Sequence, residues 1–520
     1  MDLPAATFLP DFLQHRAAEG PDRRCWVFGE RTWTWSQAWD SVGHAAGALA
    51  AAGVTRGDNV AILDKNNPAI LQVLLGGCQI GASTTVVNWR LAGDELDYVL
   101  NDCRAEVVFV GHQLLDQFNL VRDNLEHART IIVIGGPDDE FEAWLAAGPS
   151  TDRQPAVVPD DVCVVMYSSG TTGRPKGVQL TQAAMVEHCV NGLGDQVYDQ
   201  DNNMMMVAMP MFHVGGTSYA LLGPVVGVAG YIVPEVDAQL LAAGMMAGCT
   251  HAFLVPAVVA ALNAAGPQAM GLFSKLKAVG YGAAPMPLPV LRAAMAAWPD
   301  TDFQQVYGMT EMCGVITILD DAAHRDKLRP ERLVSAGRPV QHAEMRIVDP
   351  VALTDVPDGS SGEIWFRTPQ ATVGYLGKPD ATSELFAEDG WLRTGDIGRV
   401  DDGGFLFIED RIKDMIITGG ENVYSPEVER ALVEHPAVAE VAIIGVPHDT
   451  WGETVKAIVA FAPGRSATAD ELMAFARERL ARYKVPTSID VIGELPRNPS
   501  GKILKRDLRK EYWASSDRQV

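Results

Sequence analysis

At 520 residues, with 47% hydrophobic and 21% charged side chains, the chain has the make-up of a globular protein too long for one ordinary domain. Its 66 acidic residues against 42 basic ones give a formal net charge of −24, which works against nucleic acid or an anionic membrane as a partner. The seven cysteines are scattered with no Cys-x-x-Cys pair, so neither a zinc site nor a disulfide framework is suggested and they read as small core residues.

The N-terminus, Met1-Asp2-Leu3-Pro4, lacks a basic segment and an apolar stretch, so no signal peptide is expected. Residues 60–63 read as a buried strand, followed by a helix from Pro68 to about Gly81. The longest apolar stretch, 69–87, carries Gln72, Gln79 and glycines and is a poor membrane span, which points to a cytoplasmic protein. Runs at 107–110 and 131–134 continue as strands.

Residues 162–166 then lead into Tyr167-Ser168-Ser169-Gly170-Thr171-Thr172-Gly173-Arg174-Pro175-Lys176-Gly177. Glycines let the main chain approach a ligand closely, hydroxyls add short donors and Lys176 adds a point charge. With a buried strand expected before it and a helix after it, this is a loop suited to a polyanion such as a nucleotide triphosphate. It is not the Walker loop, whose G-x-x-x-x-G-K-[ST] pattern fails here because Pro175 follows Gly170 by five places.

Further strands are expected at 204–209, 231–233, 252–255 and 276–279, the last leading into Tyr281-Gly282-Ala283-Ala284-Pro285. After about residue 335 the texture turns β-rich, with strands at 344–348 and 363–366. Asp401-Asp402-Gly403-Gly404 between two apolar runs signals a hairpin. Ser425-Pro426-Glu427 reads as a cap and first turn, and Thr468-Ala469-Asp470-Glu471 as a capping box. The expected fold is therefore α/β: a large N-terminal domain of layered α/β sheets over 1–410, including a β-rich subdomain at about 335–410, and a small α+β C-terminal domain over 411–520.

The loop at 167–177 resembles the phosphate loop of the acyl-adenylate-forming superfamily, which includes acyl-CoA synthetases, peptide-synthetase adenylation domains and firefly luciferase. Tyr307-Gly308-Met309-Thr310-Glu311 resembles that superfamily's second nucleotide signature. The resemblance implies an aromatic face for adenine at Tyr307, phosphate contact from Thr310, and Mg²⁺ held by Glu311, an oxygen ligand suited to a hard cation. It also implies that Gly282, Ala283 and Ala284 border adenine. Asp396, in Thr394-Gly395-Asp396, and Arg411 match residues that hold the ribose. Lys413 matches a hinge about which a mobile C-terminal domain turns, and Gly419 with Gly420 match a tunnel for pantetheine. Lys502, in Arg497-Asn498-Pro499-Ser500-Gly501-Lys502, matches the superfamily's C-terminal catalytic lysine. His213, Val214, Gly215 and Tyr281 fall where the acyl pocket is expected, with His213 as a gate. One departure is Gln182 after Thr181, where many members carry His or Asn.

These matches imply ATP-dependent activation of a hydrophobic carboxylic acid, a medium- or long-chain fatty acid, and transfer to coenzyme A, with ATP, Mg²⁺ and coenzyme A as cofactors and co-substrates. No Arg or Lys stands in the apolar segments 209–219, 253–258 and 281–284 to pair a second carboxylate. An aromatic or steroid acid, a carrier-protein acceptor, a luciferase-like oxygenase and a non-catalytic nucleotide-binding scaffold remain open, and a homodimer is allowed. His324-Arg325-Asp326 mimics a kinase loop but lacks the Asn and strand lysine that would go with it.

Overall fold

The computed structural model describes residues 3–137, 139–168, 174–419, 421–448, 450–497 and 503–513. The expected periodicities become α/β layers. Alternating apolar strands and amphipathic helices assemble a nine-stranded and a seven-stranded sheet among the described residues. The nine-stranded sheet runs, by residue, Arg338–Pro339, Gly314–Leu319, Asp302–Met309, Ala278–Gly282, His251–Leu254, Met204–Val207, Ala229–Ile232, Arg24–Phe28, Arg31–Thr34. The seven-stranded sheet runs Gly374–Tyr375, Lys176–Thr181, Val162–Ser168, Ser83–Val86, Asn59–Leu63, Val107–Gly111, Thr130–Ile134. Their interiors are parallel, and antiparallel pairing is confined to the edges. Parallel strands need cover on both faces, which explains why Asn59–Leu63 and Val107–Gly111 are buried along their whole length.

The helix Pro68–Ile80 begins after an Asn67 cap and ends at Gly81 in the left-handed region, as its sequence implied. It packs on the helix Trp35–Ala51, where a Cβ on Gly76 would meet that of Ala45 at 2.7 Å. Every side chain of Pro68–Ile80 is buried in a core shared by both sheets. All seven cysteines are free and buried. No helix among the described residues is long and apolar enough to cross a membrane.

Packing divides the chain into two compact units, Met1–Glu344 with Arg367–Leu392, and Met345–Phe366 with Arg393–Val520. This cut differs from the division expected at 410/411. The β-rich strands Gly362–Arg367, Leu392–Val400 and Leu406–Arg411 form a four-stranded sheet with Glu344–Val348. The hairpin expected at 401–404 is present, with Val400 opposite Leu406. A five-stranded sheet of Glu421–Val423, Ile416–Thr418, Gly452–Phe461, Val438–His448 and Ser488–Val491 carries its own core with the helices Ser425–Val433 and Ala469–Arg477.

Three local expectations are corrected. The segment after the phosphate loop is a strand, not a helix: Val162–Ser168 and Lys176–Thr181 pair antiparallel, and the helix Gln182–Asn191 starts only after its Thr181 cap. The alternation in Lys176-Gly177-Val178-Gln179-Leu180 has the strand period, which the glycines had masked. The strand expected at 276–279 is Ala278–Gly282, because Gly280 is paired on both sides and Gly282 still pairs with Val306. Gly280 is tolerated there because a Cβ would meet the Phe253 ring at 2.9 Å. Ser425 is the first residue of its helix rather than its cap. Its N–H and hydroxyl both donate to the Asp410 carboxylate, at 2.6 and 2.8 Å, so a buried acid from a neighbouring strand does the work of a cap.

Candidate active site

In each large sheet the candidate residues cluster where parallel pairing gives way to antiparallel. In the seven-stranded sheet this is the connection between Val162–Ser168 and Lys176–Thr181. Ser168 ends the first strand and pairs in register with Lys176, which begins the second. Ser169, Gly170, Thr171, Thr172 and Gly173 lie outside the described residues. Tyr167, just before them, donates its hydroxyl to Asp102 at 2.7 Å, and Lys378 pairs with the other Asp102 oxygen at 2.9 Å.

In the nine-stranded sheet the equivalent place is the connection between Asp302–Met309 and Gly314–Leu319. Tyr307 and Gly308 lie just before Met309 at the end of the first strand, and Thr310 and Glu311 open the single 3₁₀ turn Thr310–Met312. A Cβ on Gly308 would overlap the Gly314 carbonyl oxygen, so only glycine allows the strands to close at this bulge. Cys313 then takes φ 58°, which turns the chain back. Glu311 is only 6% exposed.

Tyr375 joins these two places. Its hydroxyl donates to Glu311 Oε1 at 2.8 Å, while Lys176 Nζ lies 5.0 Å from the centre of its ring. Tyr375 sits on the short strand Gly374–Tyr375, which pairs with Lys176–Thr181, and Leu376 N–H donates to the Gly177 carbonyl at 2.8 Å. Thr372 N–H donates to the Glu311 carbonyl at 2.8 Å. Gln370, fully buried, donates Nε2 to the Val315 carbonyl at 2.9 Å and accepts from Asn191 at 2.8 Å. It also lies 3.3 Å from His188 Nδ1. Burial lowers the His188 pKa to about 4, so the imidazole is neutral and serves as a packed hydrogen-bonding group.

Neither Tyr375 nor Gln370 was singled out from sequence. A two-residue strand leaves no periodic signal, and their roles come from pairing with residues about two hundred positions earlier. Tyr281 also behaves differently from its expectation. Its side chain is 1% exposed in the core, with its hydroxyl 2.7 Å from His324 Nε2, so any ligand contact at this position falls to the backbone. His324, the kinase mimic, is thereby a buried structural residue. After Gly282, Ala283 has φ 65°, a left-handed conformation costing roughly 1–2 kcal/mol for a residue with a Cβ. Ala283 is exposed and Ala284 half-buried.

His213 precedes the helix Val214–Val226 and packs on Phe212 with ring centres 4.4 Å apart. Val214 is buried, and at Gly215 an added Cβ would meet the Phe253 ring at 3.7 Å. Tyr219 lies on the same helix and against Phe253. Its buried hydroxyl has no hydrogen-bond partner among the described residues.

The remaining candidates belong to the second compact unit. Asp396 and Arg411 face each other on paired strands, with Nε to Oδ1 at 3.2 Å. Ile412 N–H donates to the Gly395 carbonyl at 2.9 Å. Beyond Lys413, Asp414 pairs with Arg509 at 2.7 Å, and Arg509 also reaches the Lys413 carbonyl at 3.3 Å. Arg509 was missed from sequence because its partners lie 95 residues away. Gly419 has φ 60°, and a Cβ there would meet the Trp451 ring at 2.6 Å. Gly420 and Lys502 lie outside the described residues. Among the described residues no cluster of three or more His, Cys, Asp or Glu side chains forms a metal cage.

The chain matches the AMP-binding enzyme family over residues 13–376 and the AMP-binding enzyme C-terminal domain over residues 427–502. Fatty acid–[acyl-carrier-protein] ligase ScoC of Streptomyces coeruleorubidus is 35% identical over 498 residues, covering 94% of this chain and 93% of that protein. Feruloyl-CoA synthase of an Amycolatopsis species is also 35% identical, covering 96% and 97%. The solved structure of o-succinylbenzoate CoA synthetase from Bacillus subtilis, in complex with its acyl-adenylate intermediate, superimposes with a TM-score of 0.82 at 27% identity and covers 98% of each chain.

Proposed function

The chain belongs to the AMP-binding enzyme family and is an AMP-forming acid–thiol ligase, and from that premise we propose that it joins a hydrophobic monocarboxylic acid to coenzyme A through an acyl-adenylate. The observation that carries this reading is the meeting of the two nucleotide signatures on one side chain, with Tyr375 touching both Lys176 and Glu311.

In the first half-reaction a carboxylate oxygen attacks the α-phosphorus of ATP. The α–β phosphoanhydride bond breaks, and pyrophosphate leaves. Lys176, Thr310 and the loop 168–173 cradle the phosphates, and Lys502 supplies positive charge where negative charge gathers in the transition state. Tyr307, Gly308 and the turn 282–284 flank the base, while Asp396 accepts from the ribose hydroxyls with Arg411 beside it. Glu311 is the residue that would hold Mg²⁺: it is a buried carboxylate with no ion-pair partner among the described residues, which suits a cation whose other ligands are phosphate and water. When bound, that cation neutralises part of the triphosphate charge.

In the second half-reaction the domain 411–520 turns about Lys413, and a thiol sulfur attacks the acyl carbon. The bond to AMP breaks, and the thiol proton passes to solvent. Gly419 and Gly420 match the family's pantetheine tunnel by sequence, and His213 gates the passage between acid and thiol.

A medium- or long-chain fatty acid suits the buried Met209, Met211, Phe212 and Val214, and one relative acts on a fatty acid. An aryl acid is the second reading. The unpartnered Tyr219 hydroxyl would be satisfied by a polar ring substituent, and another relative is a feruloyl-CoA synthase. The test is a panel of fatty and hydroxylated aryl acids with ATP and coenzyme A, read as pyrophosphate release and product mass. Acyl-adenylate without thioester would favour a carrier protein as acceptor. Lys502→Ala is expected to abolish pyrophosphate release yet keep thioester formation from supplied acyl-adenylate, and equal loss of both would refute its role.

A further inference from the structure

We propose that Tyr375 is a positioning residue for the adenylating step: its hydroxyl aims the Glu311 carboxylate at the nucleotide's divalent cation and ties that aim to Lys176 of the phosphate loop. The inference rests on the adenylating reading and adds to it a residue outside both signatures.

Glu311 is buried, yet its charge meets no ion-pair partner among the described residues. What it meets is a phenol, at 2.8 Å, on Oε1. A phenol has a single proton to donate, so this bond holds the plane of the carboxylate without cancelling its charge, and Oε2 keeps its lone pairs for another partner. A lysine in the same place would have held the carboxylate equally well and neutralised it.

The hydroxyl is itself held rigidly. Gly374 and Tyr375 pair in register with Gln179 and Val178 on the strand that begins at Lys176. Thr372 is anchored twice, through N–H to the Glu311 carbonyl at 2.8 Å and through its hydroxyl to the Gln179 carbonyl at 2.6 Å. The same tyrosine places its ring 5.0 Å from the Lys176 ammonium. A cation over an aromatic face is attracted without forming a committed ion pair, so Lys176 keeps its charge for phosphate. One side chain thus orients a cation-seeking acid and an anion-seeking base and neutralises neither.

Tyr375→Phe retains the ring under Lys176 and removes only the hydroxyl. With full-length protein, Mn²⁺ and ATP, electron paramagnetic resonance is expected to show cation affinity about tenfold weaker, the worth of one hydrogen bond to a charged group. ATP binding in EDTA should be unchanged, as should thioester formation from supplied acyl-adenylate. Tyr375→Leu should in addition weaken metal-free ATP binding. Because the hydroxyl acts through Glu311, Tyr375→Phe should cost nothing further in a Glu311→Gln background. Wild-type Mn²⁺ affinity in Tyr375→Phe, or additive losses in the double variant, would overturn the proposal. Should the Phe variant fail to fold, Tyr375→Leu carries the same test, since it also lacks the hydroxyl: its Mn²⁺ affinity must fall, and wild-type affinity there would overturn the assignment. Wild-type protein that binds no Mn²⁺ with ATP and releases no pyrophosphate with any acid would overturn the adenylating reading itself.

Discussion

Glu311 and Asp396 are equally buried carboxylates, 6% and 8% exposed, but they are partnered in opposite ways. Glu311 is bonded by a neutral phenol at 2.8 Å, with no cation paired to it among the described residues. Asp396 faces the Arg411 guanidinium at 3.2 Å, and its charge is largely compensated. The difference teaches what each is suited to receive. An uncompensated buried carboxylate is a place for a cation, whereas a compensated one still has lone pairs for neutral donors such as ribose hydroxyls.

Removing charge from each without changing its shape is the strongest way to break this contrast. Glu311→Gln is expected to lower pyrophosphate release by about 10²–10³-fold, the range seen when one transition-state electrostatic partner is lost. Asp396→Asn should cost only about tenfold, as weaker nucleotide binding with little change in cation dependence. Titrating ATP and Mg²⁺ separately for both variants measures this, and equal cation dependence would erase the distinction.

A smaller effect is expected beside Asp396, where the chain passes from Ile412, bonded to Gly395, to Asp414, bonded to Arg509. Only Lys413 lies between these anchors, so the hinge proposed there would need Asp414 to travel with the helix Lys505–Trp513. Arg509→Ala should slow thioester formation about three- to tenfold, within the range of one ion-pair coupling. Adenylation should fall less, and the two half-reactions timed separately decide it.

The smallest effect is on stability around Glu311. His188 is fully buried and its pKa drops from 6.5 to about 4, so the unfolded chain takes up a proton first as pH falls. Its contribution is complete above about pH 6.5 and is lost progressively toward pH 4. His188→Gln should therefore flatten part of the fall in melting temperature between pH 7 and 5. Buried His251, also shifted to about 4, and His324, lowered by burial, act in the same direction and would keep part of that fall in place.

Much of the layout was legible from local pattern. The helix Pro68–Ile80, the parallel strands, the 401–404 hairpin and the Thr468 capping box each follow from periodicity or turn chemistry. The strand after the phosphate loop was misread because Gly177 thins the apolar alternation that marks a strand. The motifs named Lys176, Glu311, Asp396 and Arg411 as residues of interest, since side-chain type and spacing carry that much chemistry.

What local sequence determined was therefore the fold class, the AMP-binding family and the short list of charged residues. Only the tertiary structure decided their state. Tyr375 was chosen by strand pairing over a span of nearly two hundred residues, and Tyr281 was turned into the core by a hydrogen bond to His324. Whether a carboxylate keeps or loses its charge depends on what is packed within 3 Å or so of it, and that distance is set by the sheet, not by neighbours in the chain.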